Sequence, residues 1–463
     1  MANYGQYPQH QPISGPQPQQ QTQIQKHSRS QSLRNAVNRC GCPCWGGSPK
    51  DQKNKQALQS GEDEQERSSR RETKTSLWRS IKRRTSRRMR ETKGMGTDEG
   101  ETIVSDEGAA DSRPDHLVIL VNGIVGSAND WRFAANRMRT RLGRNVAIHC
   151  SSNNSALKTF DGVDVMGRRL ANEVRQVIDR TPSATRISFL AHSLGGLVTR
   201  YAIAELYRPP ILHIRDVGDG VTGRRDNSAI EEPSEVTIGG LKPENFITLA
   251  SPHLGCRGTE QLPFLLGIQV LEKTAPSLAH WFVGKTGKHL FLTDATGKEL
   301  PLLRKMVTDC KEGQFISSLG AFKRRTLYAN VVNDHMVGWR TSSIRLKSEK
   351  PDVNRKPVDP KYPHIIREEE PVPPLGQDLT VGVLRREGKR GDDLLEEEMV
   401  AGLTRIAWHR VDVRFKGEKG SYQAHNLIQV KNEKIHRAGA DVIEHIIDKQ
   451  FAAEQTVEPS DVQ

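Results

Sequence analysis

Arg186-Ile-Ser-Phe-Leu-Ala-His-Ser-Leu-Gly-Gly-Leu-Val-Thr-Arg200 carries the strongest local pattern in the chain. It reads as a short apolar strand from Ile187 to Leu190, a sharp turn carrying Ser193, and a helix through Val198, Tyr201, Ala202 and Leu206. Strand, turn and helix in that order are the setting in which the serine of a G-x-S-x-G turn is lifted clear of the backbone as a nucleophile. So tight a bend leaves little room for side chains two places before and after the serine. Those places hold Ala191 and Gly195, with Gly196 next; Ala191 departs from the usual glycine but is small enough to fit. Taken alone, the turn reads equally well as a buried glycine bend, so its neighbours decide.

Outward from it, apolar runs alternate with helical patterns. Leu117–Val121 is a continuous apolar run, as expected of a strand buried on both faces of a parallel sheet. The loop Asn122-Gly-Ile-Val-Gly-Ser127 follows, then a helix over Trp131–Leu142 and a strand over Val146–His149. Val163–Ile178 is an amphipathic helix ended by Thr181-Pro182. Phe246–Ala250, Thr326–Val332 and Ile406–Phe415 read as further strands, and Ile435–Ile447 as a terminal helix. The alternation predicts an α/β protein with a mostly parallel, doubly wound sheet and helices on both faces. Ile211–Glu235 interrupts it as a polar, Gly-rich surface excursion, and residues 344–400, Pro-rich and charged, as an insertion.

The chain has 463 residues and a net charge of +13, and the charge is concentrated at one end. Residues 1–100 hold 19 basic and 9 acidic side chains, so the rest is close to neutral. Residues 1–35 are rich in Gln, Pro and Ser and cannot form a core, which makes 1–111 a disordered leader, basic in its second half; 451–463 reads as a disordered tail. Between 67 and 93, Arg70, Arg71, Lys82, Arg83, Arg84, Arg87, Arg88 and Arg90 surround Leu77, Trp78 and Ile81 at helical spacing. Such a helix can lie on an anionic membrane surface, or serve as a phosphorylatable linker through Ser80, Thr85 and Ser86. No nucleic-acid-binding module accompanies the patch, so nucleic acid is not expected as a partner. No apolar run approaches bilayer length and no signal peptide opens the chain, so a soluble or peripheral protein is expected. Cys40-Gly-Cys42-Pro-Cys44 with Cys150, Cys256 and Cys310 forms no disulfide framework, which favours a reducing cytoplasm; the first fifty residues, free of acid, faintly suggest a plastid instead. Three clustered cysteines without a fourth ligand make a poor metal site, and as a lipidation site beside basic residues they carry little weight.

Five segments in this order resemble the α/β-hydrolase superfamily, and within it the lipase-like serine esterases of the DUF676 family. They are Val121-Asn-Gly-Ile-Val-Gly126, Ala191-His-Ser-Leu-Gly-Gly196, Ser251-Pro-His-Leu-Gly255, Tyr328-Ala-Asn-Val-Val-Asn-Asp334 and Ala424-His-Asn426. The resemblance covers roughly residues 112–450. It implies an α/β-hydrolase fold, hydrolysis of carboxylic esters, above all of acyl lipids, and no metal or organic cofactor.

A serine hydroxyl needs an imidazole to take its proton and a carboxylate to orient that imidazole. In this fold the three arrive in the order Ser, Asp or Glu, His. Asp334, at the C-terminal end of a buried strand, is the expected acid, with Asp294 as the substitute. His335 adjoins Asp334 too closely to be oriented by it, and His409 lies inside a strand. His425 follows the last strand in a loop and is the expected base; His192 and His253 precede the acid and are expected to line the site or hydrogen-bond a loop. The oxyanion donors expected are the amides of Leu194 and Ile124, with Gly123 letting the backbone come close. Many lipases carry His-Gly in that loop; here Asn122-Gly123 stands there, with Asn122 able to hold it by hydrogen bonds. Arg257–Leu292 contains Leu262, Phe264, Leu265, Leu266, Ile268, Leu271, Trp281 and Phe282, and reads either as ordinary core or as a lid that receives an acyl chain. The alternative to an esterase is a weak or inactive hydrolase-fold protein that binds membranes or partners through its basic leader.

Overall fold

The computed structural model describes residues 113–210, 235–256, 284–297, 299–372, 391–417 and 421–451. The leader with its cysteine cluster and the basic stretch 67–93, the excursion 211–234, the greater part of the candidate lid (257–283) and the tail beyond Phe451 lie outside the described residues.

Seven strands form the main sheet: β1 (His116–Val121), β2 (Val146–Cys150), β3 (Arg186–His192), β4 (Lys242–Leu249), β5 (Arg324–Asn330), β6 (Ile365–Glu369) and β7 (His409–Val413), in the order β6-β7-β5-β4-β3-β1-β2. Every neighbouring pair is parallel except β6–β7, which is antiparallel. The doubly wound, mostly parallel sheet of the α/β-hydrolase fold is therefore the architecture found.

The apolar run of β1 shows why. All six of its residues are buried, and with a side-chain period of two they divide between two cores. Leu117, Ile119 and Val121 face one, shared with helices α2 (Val163–Arg180) and α3 (Leu194–Leu206). Val118 and Leu120 face the other, shared with α1 (Arg132–Leu142) and the C-terminal helices. α2 turns Leu170, Val174 and Val177 inward and ends at Arg180, where Thr181, caught before Pro182, returns its hydroxyl to the carbonyl of Val177 at 3.0 Å. Gly167 lets α2 cross α3 closely, since a Cβ there would stand 2.5 Å from Cδ1 of Tyr201. The sheet thus holds the C-terminal ends of β1, β3, β5 and β7 along one rim, where open α/β sheets bind their ligands.

Three segments differ from the sequence reading. Residues 344–400, expected to be an insertion, carry the edge strand β6 and helix α4 (Gly391–Leu403). In β6 only Ile365 and Ile366 are apolar and buried, followed by Arg367, Glu368 and Glu369; an edge strand tolerates such charge, so the usual strand signal is weak. The terminal helix is broken into Glu433–His436, a tight turn over Arg437–Gly439, α6 (Ala440–Ile446) and a wide turn over Ile447–Phe451, with α5 (Ala424–Leu427) before them. The break falls at Gly439, whose backbone lies so close to the carbonyl of Leu427 that no Cβ could fit. The described end of the candidate lid belongs to the core: Leu290 and Leu292 pack with α2 and α3, and the carbonyl of Leu290 accepts the amide of Cys256 at 2.7 Å.

Candidate active site

Ser193 occupies the first turn after β3 and caps α3, with φ +55° and ψ −128°. A non-glycine residue rarely adopts that conformation, and it persists only where surrounding contacts fix it. Here the amide of Ser193 donates to the carbonyl of Leu249, 2.9 Å away at the end of β4. Gly195 permits the bend by close approach: a Cβ there would meet the carbonyl oxygens of Val121 and Asn122 at 2.6 and 2.7 Å. The carbonyl of Ser193 takes the amide of Gly196 at 3.1 Å, and the hydroxyl is left on the rim.

The structure brings Ser193, His425 and Asp334 together across 232 and 91 residues of chain. Nε2 of His425 lies 2.9 Å from Ser193 Oγ, and Nδ1 lies 3.1 Å from Asp334 Oδ2. A carboxylate only accepts, so Nδ1 carries the proton and Nε2 presents its lone pair to the serine hydroxyl. Asp334 is nearly sealed, its side chain 2% exposed. Its Oδ1 accepts the amides of Met336 and Val337 at 3.0 and 2.9 Å, and its Oδ2 also takes Nδ2 of Asn330 at 2.8 Å. Burial alone would raise its pKa, but the nearby His425 and these hydrogen bonds outweigh it and hold the carboxyl below the usual aspartate range. A folded-state pKa lowered in this way adds stability above the ordinary aspartate range, and that stability is lost as the pH falls through the folded value. His425 sits on the one-turn helix α5, not in the loop expected from sequence, and α5 directs the ring back at β3.

His192 does what a loop-holding histidine should. Its Nε2 donates to the carbonyl of His425 at 2.7 Å, and the two rings lie 4.6 Å apart. Burial, with the neighbouring charges of His425 and Lys431, drives its pKa well below the usual histidine range, so the ring stays neutral. Asn122 holds its loop as expected, donating from Nδ2 to the carbonyls of Gly123 (3.1 Å) and Asn154 (3.0 Å). A Cβ on Gly123 would lie 2.8 Å from Cβ of Ser193, so the loop runs directly beside that serine. Within it the amide of Val125 donates to Thr159 Oγ1 at 2.9 Å and that of Gly126 to the carbonyl of Gly123 at 3.0 Å, so neither is free, and the expected donor Ile124 lies between Gly123 and Val125. Leu194 heads α3, where a helix gives its first amides no internal acceptor.

His253 is a correction. Expected to line the site or to hydrogen-bond a loop, it is fully buried, its Nε2 3.0 Å from Thr248 Oγ1 on β4 and its ring against Trp408, while its carbonyl accepts the fully buried Arg200 of α3. Thr248 Oγ1, five residues earlier, meets Nε2, while Nδ1 is buried with no hydrogen-bond partner among the described residues. Asp294, the substitute acid, accepts the amide of Leu302 at 2.8 Å and lies 3.8 Å from His289, not beside His425. Asn330 was not anticipated as a partner of Asp334, although it ends β5 four residues before it, inside the Tyr328–Asp334 segment. Among the described residues no group of three or more His, Cys, Asp or Glu could hold a metal ion, and no helix is long and apolar enough to cross a membrane.

Comparison with known proteins places the chain in a family. The family model described as "Putative serine esterase (DUF676)" matches residues 111–344. The "Putative lipase YDL109C" of Saccharomyces cerevisiae is 30% identical over 240 residues, 50% of this chain and 31% of that one. The "Putative lipase ROG1" of the same yeast is 34% identical over 187 residues, 40% of this chain and 22% of that one. The matched region thus spans less than a third of either relative. Among solved structures, the Bacillus licheniformis lipase BlEst2 in mature form is similar at 14% identity and a TM-score of 0.28, over 49% of this chain and 69% of that one. A score that low leaves the fold to rest on the sheet described above. With the family model covering half of its length, from before β1 to beyond Asp334, the chain belongs to the DUF676 serine-esterase family.

Proposed function

We propose that the protein hydrolyses carboxylic esters of acyl chains through an acyl-enzyme on Ser193. The observation that carries this reading is the relay Ser193–His425–Asp334, with both ring nitrogens committed to the roles the chemistry needs. His425 Nε2 takes the proton from Ser193 Oγ as the oxygen attacks the ester carbonyl carbon, and Asp334 stabilises the imidazolium that forms. The amides of Leu194 and Ile124 receive the oxyanion of the tetrahedral intermediate. His425 then gives its proton to the departing alkoxide, leaving the acyl group on Ser193. Water, deprotonated by the same ring, releases the acid and restores the serine.

The test is a series of p-nitrophenyl esters of increasing chain length beside a matched thioester and amide. Saturable turnover of the esters, highest per active site and above that of the amide, is the expected result. A folded protein that turns over none of them would overturn the reading. The oxyanion loop gives a finer prediction. A methyl on Gly123 would press on the Cβ of Ser193 at 2.8 Å and push the loop away, so Gly123→Ala should lower kcat by about 10²–10³, the effect of losing one donor. Steady-state kinetics beside a thermal melt checks this; an unchanged kcat would remove Ile124 from the oxyanion site. From the sequence alone we also propose that residues 67–93 rest on anionic membrane, and deletion of residues 1–100 should abolish binding to phosphatidylserine vesicles; unchanged binding would reject that role.

A further inference from the structure

We propose that Glu173 is a positioning residue for the oxyanion loop, acting through Asn154 and Asn122; this rests on the esterase reading above. Glu173 lies on the buried face of α2, among Leu170, Val174 and Val177, and is only 4% exposed. A carboxylate there is costly unless every lone pair finds a donor. It finds four, all from one short segment. Oε1 accepts Nε2 of His149 at 3.0 Å and the amide of Ser152 at 2.8 Å; Oε2 accepts Ser151 Oγ at 2.8 Å and the amide of Asn153 at 3.3 Å. Burial raises the pKa of this carboxyl, but the hydrogen bonds from His149, Ser152 and Ser151 lower it further, and the net position is below the usual glutamate range. An ionised Glu173 therefore pins the end of β2 and the loop after it to α2.

The next residue passes that order on. Asn154 donates from Nδ2 to the carbonyl of Met166 on α2 at 2.9 Å and accepts Arg169 on its Oδ1 at 2.8 Å. Its backbone carbonyl, fixed in this way, is the acceptor for Nδ2 of Asn122. The same segment grips the far end of the oxyanion loop: the amide of Ala156 donates to Gly126 at 2.9 Å, and Thr159 Oγ1 accepts the amide of Val125. Residues 122–126 are thus held from outside by 154–159, and 151–153 by Glu173. The carboxylate never approaches the ester, yet it sets where the amide of Ile124 stands.

A double-mutant cycle in the full chain, with p-nitrophenyl butyrate as substrate, tests this. Glu173→Gln keeps the shape but replaces one acceptor oxygen with a donor. It should lower kcat by about tenfold while KM stays within about twofold, because an oxyanion donor acts mainly in the transition state. In an Asn122→Ala background the same change should cost clearly less than in the wild type, because part of its effect runs through Asn122. Effects that multiply, or a lowered melting temperature with unchanged kcat, would show a purely structural carboxylate and overturn the proposal. Hydrogen exchange separates this from failure of the esterase reading: amides of 122–127 should exchange faster in Glu173→Gln while those of β7 do not change. Unchanged exchange there overturns the proposal whether or not the protein turns over esters. Should Glu173→Gln fail to fold, Ser151→Ala removes one of the four donors and takes its place in both measurements.

Discussion

Replacing Ser193 by alanine is expected to lower ester turnover by about six orders of magnitude in kcat, the loss seen when a serine nucleophile that works as a unit with its base is removed. Little else should change. Alanine keeps the Cβ and the strained backbone, and the amide at 193 still donates to Leu249. The variant forfeits one hydrogen bond, from Oγ to His425 at 2.9 Å, worth about 0.5–1.5 kcal/mol net, so its melting temperature should stay near that of the wild type. What turnover remains should come from the oxyanion amides and from binding. Initial-rate assays on freshly purified variant, with the melt alongside, check both halves. A variant that keeps more than about a hundredth of wild-type kcat would have its nucleophile elsewhere.

Asp334→Asn should lower kcat by about 10⁴ with KM nearly unchanged, through a reversed tautomer. The carboxylate accepts four hydrogen bonds, two of them from the fixed backbone amides of Met336 and Val337. An asparagine has a single acceptor oxygen, and those two amides claim it. Its NH₂ then faces His425 Nδ1 and can only donate. His425 must respond by moving its proton to Nε2, where it can no longer take one from Ser193. The same substitution removes a group that contributes stability only while ionised, so the acid limb of the wild-type stability curve should flatten in the variant. Asp294→Asn is the control: that residue is bonded to Leu302, away from His425, and its kcat should equal that of the wild type. Equal losses in the two variants would contradict the assignment of the acid.

Much of this was legible in the sequence because the parts that matter obey local rules. β1 is buried on both faces and appears as an unbroken apolar run, β3 and β4 carry shorter ones at Phe189–Ala191 and Phe246–Ile247, and the turn at Ser193 needs small residues at fixed offsets. The order of Ser193, Asp334 and His425 follows from the topology of the sheet. β6 escaped notice because its second half is charged, and the break at Gly439 because its cause, the carbonyl of Leu427, lies twelve residues earlier. His253 misled because a histidine beside Ser251-Pro252 looks chemical, and nothing local reveals that its ring is fully buried with Nε2 against Thr248. Asn154 and Glu173 carry no signature, since their partners are chosen by the fold: Glu173 meets donors 20 to 24 residues away.

Treatment of the 463-residue chain with a fluorophosphonate, with the adduct located by mass spectrometry, tests Ser193 as the nucleophile. One adduct is predicted, on Ser193, and it should be lost or greatly slowed in His425→Gln, because the hydroxyl attacks phosphorus only when Nε2 can take its proton. A folded wild-type protein that carries no adduct on Ser193, or that labels as fast without the imidazole of His425, would contradict the account.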